Sequence, residues 1–199
     1  LASAPPDSVG VEISAAALEA ALDSGAQALD ARSEYSHKAS RLAGARSAGL
    51  PSAALRDPST LRPLPKAALE EIWAKAGIRL AGEIAVYGDE TPKGIEEAYF
   101  AAFALRLAGA DKVSVISRGF SAIEMEGLET EAGEPSAAPA SRVSAPATVR
   151  QTKIAEALAL AKSERPPVFV DFRSREDFER GHIPGALSAP FEDMFAEDG

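Results

Sequence analysis

The chain has 199 residues, 46% hydrophobic and 26% charged, an apolar fraction too high for a disordered protein and enough for one full domain plus a remainder. With 21 Lys and Arg against 30 Asp and Glu, the formal net charge is −9, so nothing draws the chain as a whole to phosphate backbones or anionic membranes, and nucleic acid is not an expected partner. Cysteine is absent and His37 and His182 are the only imidazoles, which excludes disulfides, thiolate metal sites and a cysteine nucleophile within these residues and leaves no metal or other cofactor expected.

Residues 1–9 read as a Pro-containing tail, and the start Leu-Ala-Ser-Ala-Pro-Pro suits an exported protein after removal of a targeting peptide. A periplasmic or exported location is thus one reading and the cytoplasm the other. Ser14 is a candidate N-cap for a helix to Asp23, with Leu18 and Leu22 four apart and Gly25 as its stop. The apolar stretch Ala26–Ala31 runs into Asp30-Ala31-Arg32, and a polar segment leads to Leu42-Ala43-Gly44-Ala45. Lys66–Ala76 is the clearest helix, with Leu69, Ile72, Trp73 and Ala76 on one stripe, so Trp73 is expected in the core.

Ile84–Tyr87 reads as a buried strand entering the turn-rich segment Gly88-Asp89-Glu90-Thr91-Pro92-Lys93-Gly94. Ile95–Ala108 is a helix apolar nearly all round, hence buried on more than one side. Gly109 stops it, and Val113–Ile116 is the next strand. Continuous apolar strands alternating with helices predict a parallel sheet covered on both faces. Residues 128–150 shift to Glu, Pro, Ala and Ser and read as an interdomain linker, the run Glu124, Glu126, Glu129, Glu131 and Glu134 being expected as a solvated stretch. A helix at Thr152–Lys162 and a strand at Val168–Val170 follow, the strand ending in Asp171-Phe172-Arg173. No apolar run approaches the ~20 residues needed to span a bilayer.

The opening pattern therefore returns. Asp30, Arg32, Gly44 and Ala45 have identical partners 141 residues later in Asp171, Arg173, Gly185 and Ala186. Four matches at one offset, each at the same place after a strand, mark an internal repeat. The first unit spans residues 10–127, and the second, 151–199, holds only the beginning of a copy.

The run Asp171-Phe-Arg-Ser-Arg-Glu-Asp-Phe-Glu-Arg-Gly-His-Ile-Pro-Gly-Ala186 resembles the signature near the start of a rhodanese domain. In the first copy Leu64-Pro65, the Trp73 helix, Ala76-Gly77-Ile78, Ile84–Tyr87 and Ala108-Gly109-Ala110 to Ile116 resemble, in order, the rest of such a domain. The layout is similar to tandem thiosulfate sulfurtransferases, in which the first domain is usually inactive and the second carries a reactive cysteine. The resemblance implies a three-layer α/β/α fold with a central parallel sheet, then an incomplete second copy. It also implies sulfur transfer from a small sulfur-containing anion through a cysteine persulfide. A thiolate serves such chemistry after a buried strand, where loop N–H groups and a helix N-terminus lower its pKa and hold the anionic donor.

The family's cysteine position falls on Gly88. Glycine offers no nucleophile, and Asp89 and Glu90 add negative charge where an anionic donor would sit, with only Lys93 to offset it. The first unit is therefore expected to be inactive in sulfur transfer, and in phosphatase chemistry too, because residues 88–94 also lack the loop arginine. Asp30 and Gly88 lie 58 residues apart, so equal spacing from Asp171 puts a second-copy cysteine near position 229 of a longer chain. Asp30, Arg32, Asp171, Arg173, His182 and Gly185 are read as structural: the Asp caps loop N–H groups, the Arg pairs with it, and His182 fixes a turn. The first copy departs from the signature at His37, where the second has Phe178, and at Arg41, where it has His182. A non-catalytic module that recognises a protein partner is the alternative function. A third reading completes the half-unit by exchange with another copy of the chain.

Overall fold

The structure is a computed structural model that describes residues 11–116, 118–135, 139–141, 146–147, 149–191 and 193; the tail expected at 1–9 lies outside them. The chain divides into two compact units, Leu1–Arg150 and Gln151–Gly199.

The first unit runs β1 (Val11–Ile13), α1 (Ala15–Asp23), β2 (Gln27–Asp30), α2 (Glu34–Ala39), β3 (Arg41–Leu42), α3 (Pro51–Ala54), α4 (Lys66–Lys75), β4 (Glu83–Tyr87), α5 (Pro92–Ala108), β5 (Lys112–Ile116), α6 (Gly119–Met125) and β6 (Thr130–Glu131). β1, β5, β4 and β2 form, in that order, a wholly parallel sheet. Successive residues of each strand face opposite sides. Leu29, Ile84, Val86, Val113 and Val115 thus enter one core with Leu55 after α3, Leu69 and Trp73 of α4, and Ala101 and Leu105 of α5. Ala28, Ala85, Tyr87 and Ile116 enter a second core with Leu18 of α1 and Phe120 and Ile123 of α6. Both faces being covered explains why Ile84–Tyr87 reads as an unbroken apolar run: all four side chains are buried. The fold is α/β with a central parallel sheet between helical layers, as the alternation of apolar strands and helices predicts.

Helix α5 begins earlier than its apolar pattern. The Thr91 hydroxyl accepts from the Gly94 N–H at 3.0 Å and Pro92 stands in the first turn, so Pro92, Lys93 and Gly94, read as turn, are helical. Strand β1 and helices α2, α3 and α6 were not anticipated; each is too short for a periodicity to declare itself. Within the span read as a linker, β6 pairs antiparallel with β3.

The second unit holds α7 (Ile154–Ala161), β7 (Val170–Asp171), α8 (Arg175–Arg180) and β8 (Leu187–Ser188), with β7 parallel to β8. The strand starts at Val170 rather than at Val168. Among its described residues Pro190 alone is buried, while Ile154, Val168, Val170, Phe172 and Leu187 are exposed.

Candidate functional site

β2 and β4 are neighbours in register, with Asp30 opposite Tyr87, so the loops after both strands leave from the same carboxyl edge of the sheet, where ligands of open α/β sheets bind. Asp30 is fully buried there and is the hub of the site. Its Oδ1 accepts from the Arg32 backbone N–H at 2.9 Å and from Arg32 Nε at 3.0 Å. Its Oδ2 accepts from Arg32 Nη2 at 2.8 Å, His37 Nδ1 at 3.0 Å and the Tyr87 hydroxyl at 3.0 Å. Burial alone would raise the carboxyl pKa, but the bonds from His37 and Arg32 and the Arg32 charge hold it below the usual carboxylate range. Burial, then the charge on Asp30, push the Tyr87 hydroxyl well up, so it keeps its proton and donates it to Asp30 while its oxygen accepts from the Leu42 N–H at 3.3 Å. Arg32 also donates to the Ser40 carbonyl at 2.6 Å, and its guanidinium lies 3.7 Å from the centre of the Phe120 ring. Every element around the pair is thus spent on holding it.

The loop after β4 is closed by its own backbone. The Gly88 carbonyl accepts from the Phe120 N–H at 2.9 Å. A Cβ at Gly88 would lie 2.1 Å from the Gly94 carbonyl oxygen, and one at Gly94 would lie 2.6 Å from the carbonyl oxygen of Asp89. Gly119 is held at φ +61, and a Cβ on it would lie 2.6 Å from the Gly88 oxygen. Three glycines interlock where a thiol and an anion would need room. Asp89 is half-buried beside them, and burial, with Glu90 and Asp30 adding to it against the pull of Arg32, raises its pKa. Glu90, Thr91, Pro92 and Lys93 are exposed; Lys93 pairs with Glu96 at 3.2 Å and with buried Glu97 at 3.3 Å.

The second copy rebuilds the first half of this site. Arg173 donates through its backbone N–H (3.0 Å) and Nε (3.0 Å) to Asp171 Oδ1, through Nη2 to Oδ2 (2.7 Å), and to the carbonyl of Gly181 (2.7 Å), the residue equivalent to Ser40. Ser33 and Ser174, another identical pair at the same offset, cap α2 and α8 through bonds to the Ser36 and Asp177 amides. Gly44 and Gly185 both take positive φ, +73 and +83, the left-handed turn that only glycine adopts without strain. His182 Nδ1 donates to the Phe178 carbonyl at 2.8 Å, and its ring stacks on Phe178 at 3.8 Å. The bonds from Arg173 also lower the pKa of Asp171. What differs is the cover: the Asp30 and Arg32 side chains are 0% and 5% exposed, those of Asp171 and Arg173 14% and 51%.

The Rhodanese-like domain family matches residues 14–126 and 154–198. This chain belongs to that family. No curated protein matches it. Among solved structures it is similar to a 3-mercaptopyruvate sulfotransferase, SseA from Escherichia coli (22% identity, TM-score 0.67, covering 96% of this chain and 78% of that one). It is also similar to the 3-mercaptopyruvate sulfurtransferase of Leishmania major (22%, 0.66, 98% and 59%). A third is the anaerobic ergothioneine biosynthesis enzyme of Chlorobium limicola in complex with trimethyl histidine (20%, 0.69, 90% and 50%). At these identities the likeness shows the rhodanese fold, and the chain spans half to four-fifths of the length of these proteins.

In this rhodanese-like chain the Asp-x-Arg pairs predicted from the repeat come together in both copies, and Gly88–Gly94 sits beside the first. Sequence reasoning missed Tyr87, Phe120 and Gly119. Tyr87 left a signal, a lone hydroxyl ending the apolar run Ile84–Tyr87, whereas Phe120 and Gly119 arrive from a distant helix with none. His37 is not set up as a metal ligand: its Nδ1 holds Asp30 and its Nε2 is buried without a hydrogen-bond partner among the described residues. Among the described residues no group of three His, Cys, Asp or Glu is placed to hold a metal, and no helix is long and apolar enough to cross a membrane. Glu131 and Glu134 are not merely solvated; they pair with Arg41 at 2.9 Å and Lys38 at 3.0 Å.

Proposed function

We propose that this chain is the non-catalytic first unit, and the beginning of the second, of a rhodanese-family sulfurtransferase. A cysteine of the second unit, near position 229, takes sulfane sulfur from a small sulfur-containing anion such as thiosulfate or 3-mercaptopyruvate and passes it to a thiophilic acceptor. The observation that carries this reading is the bond-for-bond repetition of Asp30–Arg32–Ser40 in Asp171–Arg173–Gly181, together with a loop after the first copy that holds no cysteine. In the first unit the arginine is sealed under Phe120 and the loop interior is filled by backbone, which suits a unit retained for its packing. Linker residues 128–150 join the two.

The test is the intact mass and thiol titre of the protein from its natural source, then sulfur transfer to cyanide with thiosulfate and with 3-mercaptopyruvate as donors. A longer chain with one reactive thiol and turnover with either donor supports the proposal. A mass near 20.7 kDa and no thiol sinks it. That result would favour a rhodanese-like module that binds a protein, the reading to which the absence of cysteine from these residues already lends support.

A further inference from the structure

Arg41 is the one position of the signature corner where the two copies carry different chemistry and the difference reaches across the unit. Its counterpart His182 makes a single side-chain bond, to the carbonyl at the end of its own helix. Arg41 makes the same kind of bond, Nη1 to the His37 carbonyl at 3.2 Å, and two more: Nη1 to the Gly133 carbonyl at 2.7 Å and Nε to Glu131 Oε1 at 2.9 Å. A guanidinium spreads five donors over a rigid planar fork, so one side chain serves a helix end and a second strand at once.

We propose that Arg41 is a latch that binds the outgoing chain to the first unit. It thereby holds the chain that follows α6 against the α2–β3 corner as far as Gly133–Glu134, ahead of the further tie from the Ala140 N–H to the Ala74 carbonyl at 2.9 Å. This goes beyond the proposed sulfur transfer and does not depend on it. The strap lies along the α2–β3 corner through the β3–β6 pair. The Ala43 N–H donates to the Glu129 carbonyl at 2.8 Å and the Gly133 N–H to the Lys38 carbonyl at 2.8 Å. Glu131 Oε1 also accepts from the Gly44 N–H at 3.2 Å, and Lys38 bridges Glu34 and Glu134. Residues 129–134 are all exposed, so the strap has no apolar anchor of its own, and a two-residue strand pair does not hold by itself. Arg41, 2% exposed, is the buried member that joins its parts.

Arg41→His restores the residue of the other copy, which keeps the helix-end bond and cannot reach Gly133 or Glu131. Hydrogen exchange at the Ala43 and Gly133 amides reads the strap, and the amides of β4 read the unit as a whole. The strap amides are expected to exchange roughly tenfold faster or more in Arg41→His, from the loss of two bonds made by a charged donor, while β4 amides hold their wild-type rates. Unchanged strap exchange, or strap and β4 amides accelerating together, overturns the latch. Should Arg41→His fail to fold, Glu131→Ala carries the test from the exposed side. Faster exchange confined to Gly44 and Gly133 supports the latch, and wild-type rates at both refute it.

Discussion

Replacing Gly88 by alanine adds one methyl group at the closure of the β4–α5 loop. Its Cβ would stand 2.1 Å from the Gly94 carbonyl oxygen and 2.8 Å from the Gly94 carbonyl carbon, whereas a carbon and an oxygen in contact rest at about 3.3 Å. The obstacle is backbone in the first turn of a 17-residue helix, so it cannot swing aside like a side-chain tip. Relief means moving the loop by roughly 1 Å, which strains the Phe120 N–H bond to the Gly88 carbonyl and the fit of Gly119 against the same oxygen. Overpacking of this kind costs about 1–3 kcal/mol, and a lost backbone bond adds about 1 kcal/mol, so about 3 kcal/mol is expected in all. For a domain of this size that lowers Tm by roughly 6–12 °C. Thermal and denaturant melts of Gly88→Ala measure it directly. Gly88→Cys extends the argument to function: the thiol should titrate, yet sulfur transfer from thiosulfate to cyanide should stay at background, because the anion has no space beside it. A Gly88→Ala protein melting within about 1 °C of wild type, or turnover by Gly88→Cys, would refute the interlocked-glycine account.

Three further outcomes follow from the Asp30 hub and one exposed residue. Asp30→Asn leaves Arg32 buried without its counter-charge and should cost about 3–5 kcal/mol at pH 7, while Asp171→Asn, whose partner is half in solvent, should be much milder; paired urea titrations check the contrast. Because the folded pKa of Asp30 lies below its unfolded value, its contribution to stability is present above about pH 4 and is lost as the pH falls through the folded pKa. The wild-type acid limb should accordingly be steeper than that of Asp30→Asn by up to ~1.4 kcal/mol per pH unit, and parallel limbs between pH 2 and 5 would count against the hub. Leu61 is 67% exposed at φ 56, so Leu61→Gly removes left-handed strain and no packing. A gain of about 0.5–1 kcal/mol is expected, and a loss would show that the loop depends on the leucine.

Much of this protein follows from sequence alone, because the signals are local. Period-two burial with both faces covered makes Ile84–Tyr87 and Val113–Ile116 read as unbroken apolar runs, and one such pattern permits little besides a parallel α/β sheet. The Asp-x-Arg pair closes within three residues, so its geometry is repeated wherever the pattern is, whether the arginine is buried as at Arg32 or half-exposed as at Arg173. Gly44 and Gly185 were matched by identity at the 141-residue offset, and both take the left-handed turn. The absence of a nucleophile at Gly88 was equally plain from the residue's identity.

What only the tertiary structure decided is what happens when distant segments meet. Tyr87 bonds a carboxylate 57 positions earlier in the chain, and Gly119 closes on Gly88 from α6. Glu131 turns from a member of an acidic run into the partner of Arg41, 90 positions away. Composition and periodicity carry no information about such pairs: a hydrogen bond depends on where two atoms lie in space, whereas a sequence pattern records only which neighbours share a face. The loop after β4 is the clearest instance. Its residues declare that it lacks a thiol, but only the packed glycines decide that it also lacks the room for one.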